Sequence, residues 1–142
     1  MAAFKEYGNY DAIGLAELIA QKQVKPEEVL EAAVERIEAV DPKLNAVVQK
    51  QYDDARATIR AGLPSGPLTG VPFLLKDLYT WQKGARIGNG SRIYDGFVAD
   101  HDFTLVKRYK TTRLVILERT NTPEFGLNAA TKPIVNGPTR NP

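Results

Sequence analysis

The sequence predicts an α/β fold, and three observations carry that prediction. Apolar residues recur at helical spacing through the first sixty positions. Two short apolar runs, Val71 to Leu75 and Leu114 to Leu117, read as strands, and a helix-like segment lies between them. Strand, long crossover with helix, strand is a βαβ arrangement, which favours a parallel pair joined by a right-handed crossover. We therefore expect one α/β domain over residues 1–142, with a helical layer at 1–62 and the start of a sheet-bearing core at 63–142.

Taken in order, Asp11 is placed to cap a helix carrying Ala12, Leu15, Ala16 and Ile19 on one face. Pro26 suits a first helical position, and Glu27 and Glu28 suit the positive end of its dipole. The stripe Val29, Leu30, Ala33, Val34, Ile37 follows, and the Asp41-Pro42 pair should stop the helix. Asn45 to Val48 fits a short strand, and Tyr52 to Ala61 a more polar helix ended by Gly62 and Pro64. Pro64-Ser65-Gly66-Pro67 is a turn-rich linker into Val71 to Leu75. Thr80 to Ala99 holds Gly84, Gly88, Gly90 and Gly96 and reads as a long loop. Asp102 should cap a helix carrying Phe103, Leu105, Val106 and Tyr109. After Leu114 to Leu117, Thr122-Pro123-Glu124 offers cap, first-position proline and acidic first turn, so a short helix should begin there. Parallel sheets are normally covered on both faces, and two or three strands make a poor one. The pattern is that of the front of a larger mixed sheet.

Composition narrows the function. Hydrophobic residues make 43% and charged residues 25%, the balance of a globular protein rather than a disordered one. A net charge of +2 with scattered basic residues gives no footprint for nucleic acid. There is no cysteine, so disulfides and thiolate metal sites are excluded, and the single histidine, His101, cannot build a common zinc site. No cofactor is called for. No apolar run nears the roughly 20 residues that cross a bilayer, and the first residues lack a signal-peptide stretch. The expected location is the cytoplasm.

Four segments carry possible chemistry. Lys76 ends the first apolar strand, beside Asp77. A lysine so placed is a surface residue paired with a carboxylate, or an amine that loses its proton through desolvation and serves as a base. Gly88-Asn89-Gly90-Ser91 lacks the lysine and strand-to-helix setting of a phosphate loop and reads as a flexible turn. His101 beside Asp102 reads as a solvated histidine next to a cap. Thr120-Asn121-Thr122-Pro123-Glu124-Phe125-Gly126 reads as a helix start.

In order along the chain, Gly66-Pro67-Leu68-Thr69-Gly70-Val71-Pro72-Phe73-Leu74-Leu75-Lys76-Asp77, Gly90-Ser91, Asp102, Val115-Ile116-Leu117, Thr120 to Gly126 and Gly137-Pro138-Thr139-Arg140-Asn141-Pro142 resemble the amidase signature family. The resemblance runs from about Asp11 to Pro142 and is strongest after Gly66. It implies the amino-terminal part of that fold and hydrolysis of a carboxylic amide through a Ser-cisSer-Lys triad. In that family a neutral lysine takes a proton through a cis-bonded serine from the nucleophilic serine. Lys76 is the matching lysine, and a small-molecule amide is the implied substrate. The residues after Thr120 look more like catabolic amidases and cyclic-oligomer hydrolases than the tRNA-dependent amidotransferases.

The chain departs from the family in three places. Ser65 and Ser91 are its only serines and match neither the nucleophile nor the cis serine, so the chain alone should be inactive. Such a fragment could instead pair with a complementary chain or with itself, and no membrane partner is implied. Arg113 falls where the family ends a helix with glycine, and a side chain in a left-handed position there costs about 1–2 kcal/mol. Glu118 falls where a glycine follows the strand, and a carboxylate near Lys76 would hold its proton on.

Overall fold

The computed structural model describes residues 4–142. The elements run α1 (Ala12–Ala20), α2 (Pro26–Leu44), β1 (Val47–Lys50), α3 (Tyr52–Arg60), β2 (Pro72–Lys76), α4 (Thr104–Thr111) and β3 (Val115–Thr120), with 3-10 turns at Lys5–Asn9, Arg92–Tyr94 and Glu124–Gly126. The sheet order is β1-β3-β2, so β3 is central. β1 pairs antiparallel with β3, placing Val47 opposite Thr120, Gln49 opposite Arg119 and Lys50 opposite Glu118, with an irregularity between Val47 and Gln49. On the other side of β3, Val115 N donates to Val71 O and Asp77 N to Thr120 O. Both numbers rise together, so β2 and β3 are parallel, as the βαβ reading expects, and the sheet is mixed.

The chain divides into two compact units. One comprises the described residues up to 39, with 51–73 and 109–117; the other comprises 40–50, 74–108 and 118–142. In the first, Leu15, Val24, Val29 and Val71 form a buried cluster against Tyr7, Ile19, Leu68 and Leu114. Asp11 accepts from Gly14 N at 2.8 Å, which is the predicted cap of α1. Glu28 reaches back to Lys25 N at 2.8 Å, closing the start of α2 by the reciprocal half of a capping box. Arg56 of α3 grips Glu31 of α2 with two nitrogens at 2.7 and 2.8 Å. That bond draws the Glu31 carboxyl below its ordinary range, against a smaller upward push from burial.

The second unit carries the long loop. It is free of α-helix and strand, yet closely tied. Gly84 N donates to Ala99 O, Ala99 N to Ala85 O and Ile87 N to Phe97 O. Trp81 stacks on Phe103 with ring centres 4.7 Å apart and contacts Phe97 and His101 at 5.0 and 5.2 Å. Aromatic packing and these backbone bonds fix the loop.

Several boundaries differ from expectation, each for a physical reason. α2 continues through Pro42 to Leu44. The Asp41 carboxylate accepts from Ala46 N and Val47 N at 2.7 and 3.0 Å, closing the last turn, and Asn45 turns the chain at φ +52°. β1 therefore begins at Val47, two residues later than predicted. Asp102 accepts from Lys83 N at 2.7 Å, and α4 starts at Thr104. The expected helix after Thr122 is a three-residue 3-10 turn, because Phe125 sits at φ +51° and cannot continue a helix. The Thr122 hydroxyl donates to Pro123 O at 3.1 Å instead of capping.

Arg113 lies in the left-handed region at φ +70°, as the family pattern implies. Its side chain also crowds Gly66: a Cβ there would meet Arg113 Cγ at 2.5 Å and Thr112 O at 3.1 Å. Arg113→Gly should therefore stabilise the chain by about 1 kcal/mol, the relieved strain exceeding the added freedom of the unfolded chain. Gly66→Ala should destabilise the parent but cost less in the Arg113→Gly background. Thermal melts of the four proteins in this double-mutant cycle read both effects, and additive costs would refute the contact.

Candidate active site

Lys76 is the last residue of β2 and its side chain is exposed. The next residue, Asp77, is 4% exposed, because alternate positions of a strand face opposite ways. Asp77 enters the turn Asp77 to Thr80, in which Tyr79 takes φ +53°. A non-glycine residue in that region must be held there by its surroundings. Asn89 does so by accepting from Tyr79 N at 2.9 Å, while its own carbonyl accepts from Phe125 N.

The segment Gly88-Asn89-Gly90-Ser91, read from sequence as a flexible turn, is a packed support. Gly88 N donates to both Asp77 oxygens at 3.1 Å. A Cβ on Gly88 would lie 2.6 Å from Asp77 Oδ2, so only glycine permits that approach. Gly90 sits at φ +65° with Thr122 O 2.7 Å from where its Cβ would be. Asn89, Ser91 and Thr122 are buried. Ser91 Oγ accepts from Ile93 N at 3.3 Å, and Ser65 is exposed on the linker.

Arg119 completes the site, and sequence reasoning missed it. Its side chain is 0% exposed although it lies on a strand with buried Leu117 and Glu118. Nε approaches Asp77 Oδ1 at 3.4 Å and Nη1 donates to Thr80 O at 3.0 Å. Nη2 donates to the same carbonyl. The Thr80 hydroxyl donates to Lys76 O. Glu118, expected just past the strand, lies within it, because β3 runs to Thr120 rather than ending at Leu117. It faces Lys50 in register and is 0% exposed.

A second polar network anchors the residues after Thr120. Asn121 Nδ2 donates to Gly137 O and Thr139 Oγ1 at 3.1 and 3.0 Å. Asn45 Nδ2 donates to Asn136 O at 2.8 Å, and Thr139 Oγ1 donates to Asn45 O at 2.7 Å. These bonds lay Gly137 to Thr139 against the end of β1. A cleft of about 380 Å³ opens nearby, lined by Asp77, Arg86, Ser91, Arg92, Asp95 and Asn136 among others; Lys76 does not line it. His101 does not meet this cleft; its Nδ1 is 2.6 Å from Asp100 Oδ1. Among the described residues no group of three potential metal ligands occurs, and no helix is long and apolar enough to cross a membrane.

Burial pushes the Asp77 carboxyl above its ordinary range, outweighing the Gly88 N–H bond and the attraction of Arg119. Burial likewise lowers the Arg119 guanidinium, with Asp77 opposing. Both directions say that desolvation costs this pair more than its mutual attraction returns. A carboxyl raised in the folded state contributes stability that is full below the unfolded value of 3.8 and is lost as pH rises through the folded value. Asp77→Asn, by contrast, removes one partner of this buried pair outright and leaves the Arg119 cation uncompensated, so it should destabilise the chain at neutral pH by about 3 kcal/mol. Urea unfolding reads the difference; unchanged stability at neutral pH would overturn it.

The comparisons with known proteins agree with this geometry. Residues 28–142 match the amidase family. The chain is 39% identical over 138 residues to a glutamyl-tRNA(Gln) amidotransferase subunit from Acidothermus cellulolyticus, covering 92% of this chain and 27% of that protein. It is 40% identical over 136 residues to the 6-aminohexanoate-cyclic-dimer hydrolase of Paenarthrobacter ureafaciens, covering 93% and 27%. A solved 6-aminohexanoate cyclic dimer hydrolase superposes with a TM-score of 0.87 at 37% identity, covering 93% of this chain and 27% of that one. The chain thus spans about a quarter of the length of the relatives it matches, and the near-equal identities do not separate hydrolase from amidotransferase. From the strand that ends in Lys76 to the anchored segment after Asn121, the chain belongs to the amidase family.

Proposed function

We propose that this chain supplies the lysine base of an amide-hydrolysing site, Lys76, and hydrolyses no amide by itself. The observation that carries the reading is the position of Lys76: the end of a parallel strand, followed at once by a buried carboxylate and a turn pinned by Gly88, Asn89 and Arg119. Ligand and catalytic groups in α/β sheets gather outside such strand ends. A family triad then takes its proton path from the nucleophilic serine, through the cis serine, to Lys76. The acyl-serine forms as the amine leaves, and water hydrolyses it. A small-molecule amide is the substrate class, and no cofactor takes part.

Neither serine of the chain suits the nucleophile's place. Ser91 is buried with its oxygen engaged by Ile93 N, and Ser65 lies on the exposed linker. Lys76 is also exposed, so the desolvation that favours a neutral amine has to come from polypeptide that covers it. A second reading is that the chain docks onto a complementary chain without catalysing anything. It is favoured by Leu127 at 86% and Ile134 at 78% exposed, both bordering one apolar depression in the segment after Pro123. A cytoplasmic location accompanies both readings.

The isolated chain should release no amine from a panel of linear and cyclic amides above its own Lys76→Ala variant. Adding a polypeptide equivalent to the remaining three quarters of the Paenarthrobacter enzyme should restore hydrolysis. In that mixture Lys76→Ala should cut the rate by at least about 10²-fold, the scale of a lost general base. Hydrolysis by the chain alone that requires Lys76 would refute the inactivity. A stable, inactive complex by size-exclusion chromatography would favour the docking reading.

A further inference from the structure

We infer that Arg119, acting through Thr80, is the positioning residue for Lys76; the inference rests on the reading of Lys76 as the reacting amine. A guanidinium carries five donors and no acceptor, so a fully buried one is tolerable only where acceptors surround it. Around Arg119 those acceptors are Asp77 Oδ1 at 3.4 Å, Thr80 O at 3.0 Å from Nη1 and also bonded to Nη2, and Thr80 Oγ1 at 3.5 and 3.3 Å. All three atoms belong to the turn that follows Lys76. The same Thr80 hydroxyl gives its own proton to Lys76 O. A closed path therefore runs from a buried cation on the central strand to the backbone of the lysine.

The path has a mechanical consequence. The turn contains a left-handed tyrosine, Tyr79, and would relax to other conformations if its carbonyl and hydroxyl were released. The fork of Arg119 fixes Thr80, and Thr80 fixes the carbonyl of the residue that bears the reacting amine. Gly88 and Asn89 hold Asp77 and Tyr79 from the opposite loop but do not bond Lys76 or Thr80. A lysine cation could keep the charge at position 119 but not the planar two-point grip on one carbonyl.

The test reads order at Lys76 in the full 142-residue chain by nitrogen and carbon spin relaxation, with no hydrolysis involved. Backbone order parameters of residues 76–80 and that of the Lys76 Cε methylene are compared with those of β1. In the parent, the backbone of residues 76–80 should be rigid, near about 0.85, and in Arg119→Met it should fall below about 0.6 while β1 stays rigid. Arg119→Lys should recover part of the loss. Thr80→Val removes only the hydroxyl relay and should loosen Lys76 with the rest of the molecule intact. Unchanged order at Lys76 in Thr80→Val overturns the inference even where Arg119→Met does not fold. So does a loss of order in folded Arg119→Met that spreads equally to β1, which would make Arg119 a general support. Failure of amide hydrolysis in the mixing experiment leaves these order parameters unaffected, so the two readings fail separately.

Discussion

The central strand β3 is the constraint on which the rest of the structure depends. It pairs antiparallel with β1 on one edge and parallel with β2 on the other, and successive residues Leu117, Glu118 and Arg119 are all 0% exposed. Neighbouring strand residues face opposite ways, so both faces of β3 are covered at that point. A strand covered on both faces normally reads as continuous hydrophobic sequence. Here Glu118 and Arg119 occupy it, and the buried guanidinium of Arg119 needs acceptors around it. Arg119 brings the Asp77-to-Thr80 turn, and Glu118 lies opposite Lys50 in the antiparallel register.

That compensation explains what is legible in the sequence and what is hidden. The helices α1, α2 and α3 announce themselves by apolar spacing and by Asp11 and Pro26, because local capping and amphipathic burial decide them. The pair β2–β3 is legible from two apolar runs and the crossover between them. Sequence pattern alone stops β3 at Leu117, because a Glu-Arg pair ordinarily marks a surface. Only the tertiary partners of those charges reveal that the strand continues to Thr120. The signal that sequence offers is indirect: a family glycine replaced by Glu118 directly before the arginine.

The same division holds at the loops. Arg113 in the left-handed region is foreseeable, since glycine is the family's choice there and the helix ends just before it. Tyr79, Asn89 and Phe125 also take positive φ, and nothing local demands it of them. Each is imposed by its neighbours: Asn89 accepts from Tyr79 N, and Phe125 N donates to Asn89 O. Three strained residues thus hold one another, which is why a segment rich in glycine and asparagine is a packed support rather than a mobile turn. Pattern reasoning sees the glycines and misses the mutual bonds, because those bonds join positions far apart in the chain.

Lys76 stands out from sequence before any other residue, and the structure changes what its position means. The chain builds everything behind the lysine: strand, carboxylate, turn, supporting loop and buried arginine. It leaves the amine in front of that scaffold exposed. Burial of Asp77 and Arg119 is offset in part by bonds within this chain, whereas burial of Lys76 would need apolar or polar cover that its immediate neighbours do not give. Orientation and desolvation are separable requirements for a lysine base: the first comes from a rigid backbone, the second from whatever excludes water. On the proposed reading of Lys76 as a base, the first requirement falls to Arg119 and Thr80, whose bonds to the turn and to Lys76 O lie within this chain. On that same reading, a covering polypeptide would have only to remove water and present serines.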